Sequence, residues 1–110
     1  MSDLVEKKCV PCEGGVKPLT SKEIQDLLRE LDGWNWDEKH HKIFKKFSFK
    51  NFYQTMSFVN AVAYIANKED HHPDMELSYN FCVVNYNTHA IGGLSTNDFI
   101  CAAKVDKLVS

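Results

Sequence analysis

The sequence predicts an α+β domain, an antiparallel sheet with helices packed on one face, in the order helix, two strands, helix, two strands, helix. Three observations carry this. Strand-like alternations come in pairs joined by turn residues, as hairpins do. Amphipathic helical spacings precede, separate and follow those pairs. The chain has 110 residues, one domain's worth of sequence with no room for a second core.

The elements follow in order. Residues 1–18 contain Pro11, Gly14, Gly15 and Pro18 and show no periodicity, so they read as an extended, lightly packed N-terminal arm ahead of a domain over 19–110. Thr20 and Glu23 have the spacing of a capping box. Ile24, Leu27, Leu28 and Leu31 then recur at i, i+3, i+4 and i+7, a single amphipathic helix that Gly33 is placed to end. Trp34 and Trp36 alternate with Asn35 and Asp37, a short strand. Asp37-Glu38-Lys39 turns the chain into a second strand over 41–49, with Ile43, Phe47 and Phe49 on one face. Asn51 is an N-cap for a longer helix over about 52–67.

That helix has two apolar stripes. Phe52, Met56, Val59, Ala63 and Ala66 form one, and Phe58, Val62 and Ile65 form the other. A helix apolar on two sides is buried on two sides. One stripe is expected to face the sheet, and the Phe58 stripe to face a second copy of the chain in a homotetramer, or failing that a dimer. Residues 76–87 are strand-like, with a break in alternation near Asn80–Phe81 that divides them into two strands. Gly92-Gly93 is a turn. Ser95 and Asp98 repeat the capping-box spacing and start a C-terminal helix containing Ile100, Ala103 and Leu108.

Composition narrows the function. Thirteen basic and fifteen acidic side chains leave a net charge of −2, which argues against a dedicated nucleic-acid surface. No apolar run approaches the roughly 20 residues that span a bilayer. The first residues are mixed in charge with no apolar core, so no secretory signal is read. The four cysteines are then expected to be reduced thiols in a cytoplasmic protein. Cys9 and Cys12 form a lone Cys-x-x-Cys. A structural zinc site needs four ligands, and His40 and His41 could complete one only if the arm folded back.

The unusual feature is Glu69-Asp70-His71-His72-Pro73-Asp74, adjacent histidines among carboxylates. Pro73 should end the helix register and extend His72. Adjacent extended side chains point apart, so the two histidines line different parts of a rim rather than share one atom. His89 follows the last strand, and a strand pair that leaves 71–73 and returns would bring it back to them. Imidazoles titrate near neutrality, which suits proton transfer. No Gly-x-Ser-x-Gly, phosphate loop or cysteine nucleophile accompanies the cluster. Three readings stay open at this level: acid–base chemistry without a cofactor, a three-histidine metal site, and surface histidines without function.

Asp70-His71-His72-Pro73, Tyr79-Asn80, Thr88-His89, Gly93-Leu94-Ser95 and Asp98 resemble, in order and spacing, the pterin-4a-carbinolamine dehydratase family. The likeness extends upstream through Gly33-Trp34, Ile43-Phe44-Lys45 and Phe47–Phe52. The arm around Cys9 and Cys12 is similar to that of many microbial members. The resemblance implies a four-stranded antiparallel sheet with three helices on one face. It also implies dehydration of 4a-hydroxytetrahydrobiopterin with neither metal nor organic cofactor, in tetrahydrobiopterin recycling.

By the same resemblance His71, His72 and His89 are the essential histidines. His71 and His89 would carry acid–base work, and His72 would mainly bind and polarise the pterin. Asp70 would orient an imidazole or bond the substrate, and Asn87, Thr88 and Ala90 would contact the ring. Animal members also act as the dimerisation cofactor of a homeodomain transcription factor, which would add a nuclear location. The chain departs from the family at Asn67, where an acidic residue is usual, and at Met75. Asp98 reads most simply as a helix cap.

Overall fold

The computed structural model describes residues 3–10 and 17–109. Three helices, α1 (Ser21–Leu28), α2 (Phe52–Glu69) and α3 (Thr96–Lys107), and four strands, β1 (Asn35–Asp37), β2 (Lys42–Ser48), β3 (Asp74–Leu77) and β4 (Phe81–Tyr86), follow in the expected α-β-β-α-β-β-α order. Short 3₁₀ turns at Leu4–Glu6 and His89–Ile91 are added.

The strands form one antiparallel sheet in the order β1-β2-β4-β3. The register sets Trp36 opposite Ile43, Phe47 opposite Cys82 and Met75 opposite Val84. Because successive side chains alternate faces, Ile43, Phe47, Cys82, Val84 and Tyr86 share one side, and all five are buried. Ile24 of α1, Phe58, Val62 and Ile65 of α2, and Phe99, Ile100, Cys101 and Val105 of α3 meet that face in a single core.

The helix ends follow local chemistry. Thr20 and Glu23 close their capping box, and the Asn51 side chain accepts the Gln54 N–H at 2.9 Å. α1 stops at Leu28, before Gly33, whose φ of +78° belongs to the loop leading to β1. α2 runs to Glu69 and stops because Asp70 adopts a left-handed conformation (φ 51°), three residues before the proline expected to end it.

Two expectations are corrected. The Phe58 stripe of α2 is the inward one: Phe58, Val62 and Ile65 are 5, 0 and 9% exposed within one chain, and the Phe58 ring lies 4.6 Å from Phe47 and 5.0 Å from Phe49. The side turned outward carries Phe52, Tyr53 and Tyr64 instead. A second copy is therefore not needed to cover Phe58.

The arm, over residues 3–10, is not lightly packed. Leu4 is 1% exposed in the core, and Lys104 of α3 donates to the Val5 carbonyl at 2.8 Å. A single buried leucine has no period, which is why no pattern announced it. Cys9 lies against Cys101, while His40 is engaged at 2.7 Å with Asp37 in the β1–β2 turn. Cys12 lies outside the described residues.

Candidate active site

The topology brings three loops to one end of the sheet. β3 and β4 are antiparallel neighbours, with Asp74 opposite Asn85, so the segment entering β3 meets the segment leaving β4. The first carries Asp70, His71 and His72, and the second Asn87, Thr88, His89 and Ala90. The first turn of α3 closes the same corner through Asp98. All seven residues expected from the sequence line one cavity of about 610 Å³.

Their roles in the structure differ. His71 is the held imidazole. Its Nε2 lies 2.6 Å from Asp98 Oδ1, its side chain is 12% exposed, and its ring stacks on Tyr86 at 5.8 Å and 7°. Burial pushes the Tyr86 phenol well above its ordinary value, so that ring is a neutral platform. Asp98 is fully buried, and its other oxygen, Oδ2, accepts the Thr88 hydroxyl at 2.8 Å and the Ser95 N–H at 2.9 Å. Thr88 spends its only hydroxyl proton on Asp98. The 2.8 Å contact between Thr88 Oγ1 and Ser95 Oγ is therefore donated by Ser95. With donors on both carboxylate oxygens, Nε2 of His71 carries a proton and Nδ1 is the nitrogen with which a neutral ring can accept.

His72 and His89 are exposed at the rim. His72 Nε2 lies 3.3 Å from Asn67 Oδ1. Asn67, where the family usually has an acid, thus sits beside the second histidine rather than the first. The left-handed turn at Asp70 folds the chain back onto the last turn of α2 and makes this contact. Asp70 itself is exposed and caps α2, its N–H donating to Ala66. The imidazole is oriented by Asp98, a position that carries the family resemblance and that reads most simply as a helix cap. Both roles hold at once, since one oxygen caps α3 and the other holds His71. Glu69 is engaged elsewhere: its Oε1 accepts the Cys9 N–H at 2.9 Å and its Oε2 lies 3.8 Å from the Lys104 ammonium.

Among the described residues no three histidine, cysteine or carboxylate side chains are grouped as metal ligands. Cys9 and Cys101 are free thiols 3.4 Å apart, and the Cys9 contact together with burial pushes Cys101 far above the ordinary thiol range.

The fold and the cavity define an α+β domain with three imidazoles around one pocket, one of them fixed by a buried carboxylate. Comparison with known proteins gives the family. The model of the pterin 4 alpha carbinolamine dehydratase family matches residues 17–108, and the chain belongs to that family of hydro-lyases. A relative from Nitrosospira multiformis, provisionally named pterin-4-alpha-carbinolamine dehydratase, is 62% identical over 98% of this chain and 94% of its own. One from Legionella pneumophila, with the same provisional name, is 55% identical over 98% of this chain and 96% of its own. A Brucella melitensis crystal structure, described as a transcriptional coactivator/pterin dehydratase, superposes with a TM-score of 0.82. It is 33% identical and covers 86% of this chain and 100% of that one.

Proposed function

We propose that this protein dehydrates 4a-hydroxytetrahydrobiopterin to quinonoid dihydrobiopterin and water by histidine acid–base catalysis, in the recycling of tetrahydrobiopterin in the cytoplasm. The observation that carries the reading is the His71–Asp98 pair set beside two further imidazoles around one cavity. Hydroxide is a poor leaving group, so the 4a-oxygen must gain a proton as the carbon–oxygen bond breaks. A ring nitrogen must lose one to form the new carbon–nitrogen double bond. One acid and one base with near-neutral pKa values perform both transfers, and one water leaves.

His71, with Nε2–H directed at Asp98, offers Nδ1 as the base. His89 on the rim supplies the proton to the departing oxygen. His72 binds and polarises the pterin, steadied by Asn67. Thr88 spends its hydroxyl on Asp98 and its N–H on the Gly93 carbonyl, so only the second lone pair of its own carbonyl, beside the backbone of Asn87 and Ala90, is left for the substrate. The chemistry needs no organic cofactor or metal.

The decisive experiment supplies purified protein with enzymatically generated 4a-hydroxytetrahydrobiopterin and follows the quinonoid product. The expected result is turnover far above the spontaneous rate, unchanged by chelator. A rate equal to the spontaneous one would refute the reading, and a chelator loss restored by zinc would replace it with a metal mechanism.

The family resemblance, and not the Phe58 stripe, supports an assembly of identical subunits, a homotetramer or a dimer. Light scattering at micromolar concentration is expected to show one of these, and a monomer would remove the proposal.

A further inference from the structure

The arm ends, over its described residues, at the cavity itself. Cys9 and Val10 line it together with the three histidines. Their placement is built rather than incidental. The Cys9 N–H is held by Glu69 at 2.9 Å and its thiol by Cys101 at 3.4 Å. Val10 is clamped at both backbone polar groups by one side chain: its N–H donates to Asn97 Oδ1 at 3.0 Å, and its carbonyl accepts from Asn97 Nδ2. Asn97 is 4% exposed and stands next to Asp98 in the first turn of α3. One helical turn therefore holds both the His71 imidazole and the arm.

Val10 is nevertheless 66% exposed. A β-branched apolar group fixed by its backbone at the mouth of a polar cavity presents an apolar surface to what enters. The clamp fixes the Val10 backbone and so keeps its isopropyl group at the cavity in any rotamer. A flat heteroaromatic ring entering the cavity would bury part of that exposed surface.

We propose that Val10 is a substrate-binding residue of this site, the apolar wall against which the pterin ring lies, and that Asn97 is the positioning residue that holds it there. This rests on the pterin dehydratase reading and assigns the arm a part in substrate affinity rather than in the proton transfers.

The test compares the full-length protein with Val10→Asp and Asn97→Ala, measuring steady-state turnover of 4a-hydroxytetrahydrobiopterin and calorimetric binding of 7,8-dihydrobiopterin. The expected result is a rise of about tenfold in KM and in the dihydrobiopterin Kd, with kcat within about twofold and the pH profile of kcat unmoved. Val10→Asp alters an exposed side chain and keeps the backbone clamp, so it tests the contact even where Asn97→Ala melts early. KM and Kd values within about twofold of the parent in Val10→Asp would overturn the proposal, as would a loss confined to kcat. A parent protein with no turnover would defeat the dehydratase reading instead, and calorimetry reads the Val10 contact independently of turnover.

Discussion

Replacing His71 by alanine is expected to lower kcat by about 10²–10⁴-fold, the usual contribution of a positioned acid or base. The domain should stay folded, because the imidazole is held by the core rather than holding it. Tyr86, on which it stacks, is fully buried among other apolar side chains. His72→Ala and His89→Ala should also lower turnover. Their rings are exposed at the rim, so their loss costs no packing and the effect reads chemistry and binding directly. Circular dichroism and thermal melting confirm the fold, and single-turnover kinetics separate the chemical step from binding. Losses below about threefold at all three positions would eliminate the proposed mechanism.

Asp98→Ala is expected to damage stability and catalysis together. It removes the acceptor of the His71 ring, the Thr88 hydroxyl and the Ser95 N–H in a place with no solvent exposure. Each buried donor left unpaired costs about 1–3 kcal/mol, so a loss of roughly 3 kcal/mol or more is expected. In a domain of this size that lowers Tm by about 10 °C or more.

Asp98→Asn separates the two effects. Two donors converge on the Oδ2 position, which fixes the amide oxygen there and turns the amide NH₂ toward His71. Nε2 of His71 must then accept, the ring proton moves to Nδ1, and the base loses its lone pair. The expected outcome is a Tm within a few degrees of the parent and a kcat loss approaching that of His71→Ala. Full activity in Asp98→Asn would show that the tautomer of His71 does not matter to the reaction.

What could be read in advance was local or periodic. The Thr20, Asn51 and Ser95 caps depend on neighbours within three residues, and the two strand pairs on alternation. The meeting of His71 and His89 followed from hairpin geometry alone, since a strand that goes out and back returns to its start. What could not be read depends on contacts between distant segments. Both stripes of α2 are apolar, and only the position of Phe47 on β2 and of Phe49 just past its end decides that Phe58 faces inward. The His71–Asp98 bond spans 27 residues, and the capping role of Asp98 concealed it because the same carboxylate does both. Asn67 meets His72 only because the chain reverses at Asp70 through a left-handed residue, where proline had been expected to stop the helix. The arm depends on Leu4 and on the amide of Asn97, which reaches across 87 positions to Val10.

The shared carboxylate of Asp98 also ties the timing of the site to the breathing of a helix. The Ser95 amide exchanges with water only when Oδ2 releases it, and that release loosens the residue that fixes the His71 ring through Oδ1. Opening of the first turn of α3 and loss of imidazole alignment are thus one event with one free energy. Because the same stretch of helix carries Phe99 and Ile100 into the core, the alignment of His71 is expected to last on warming as long as that core does.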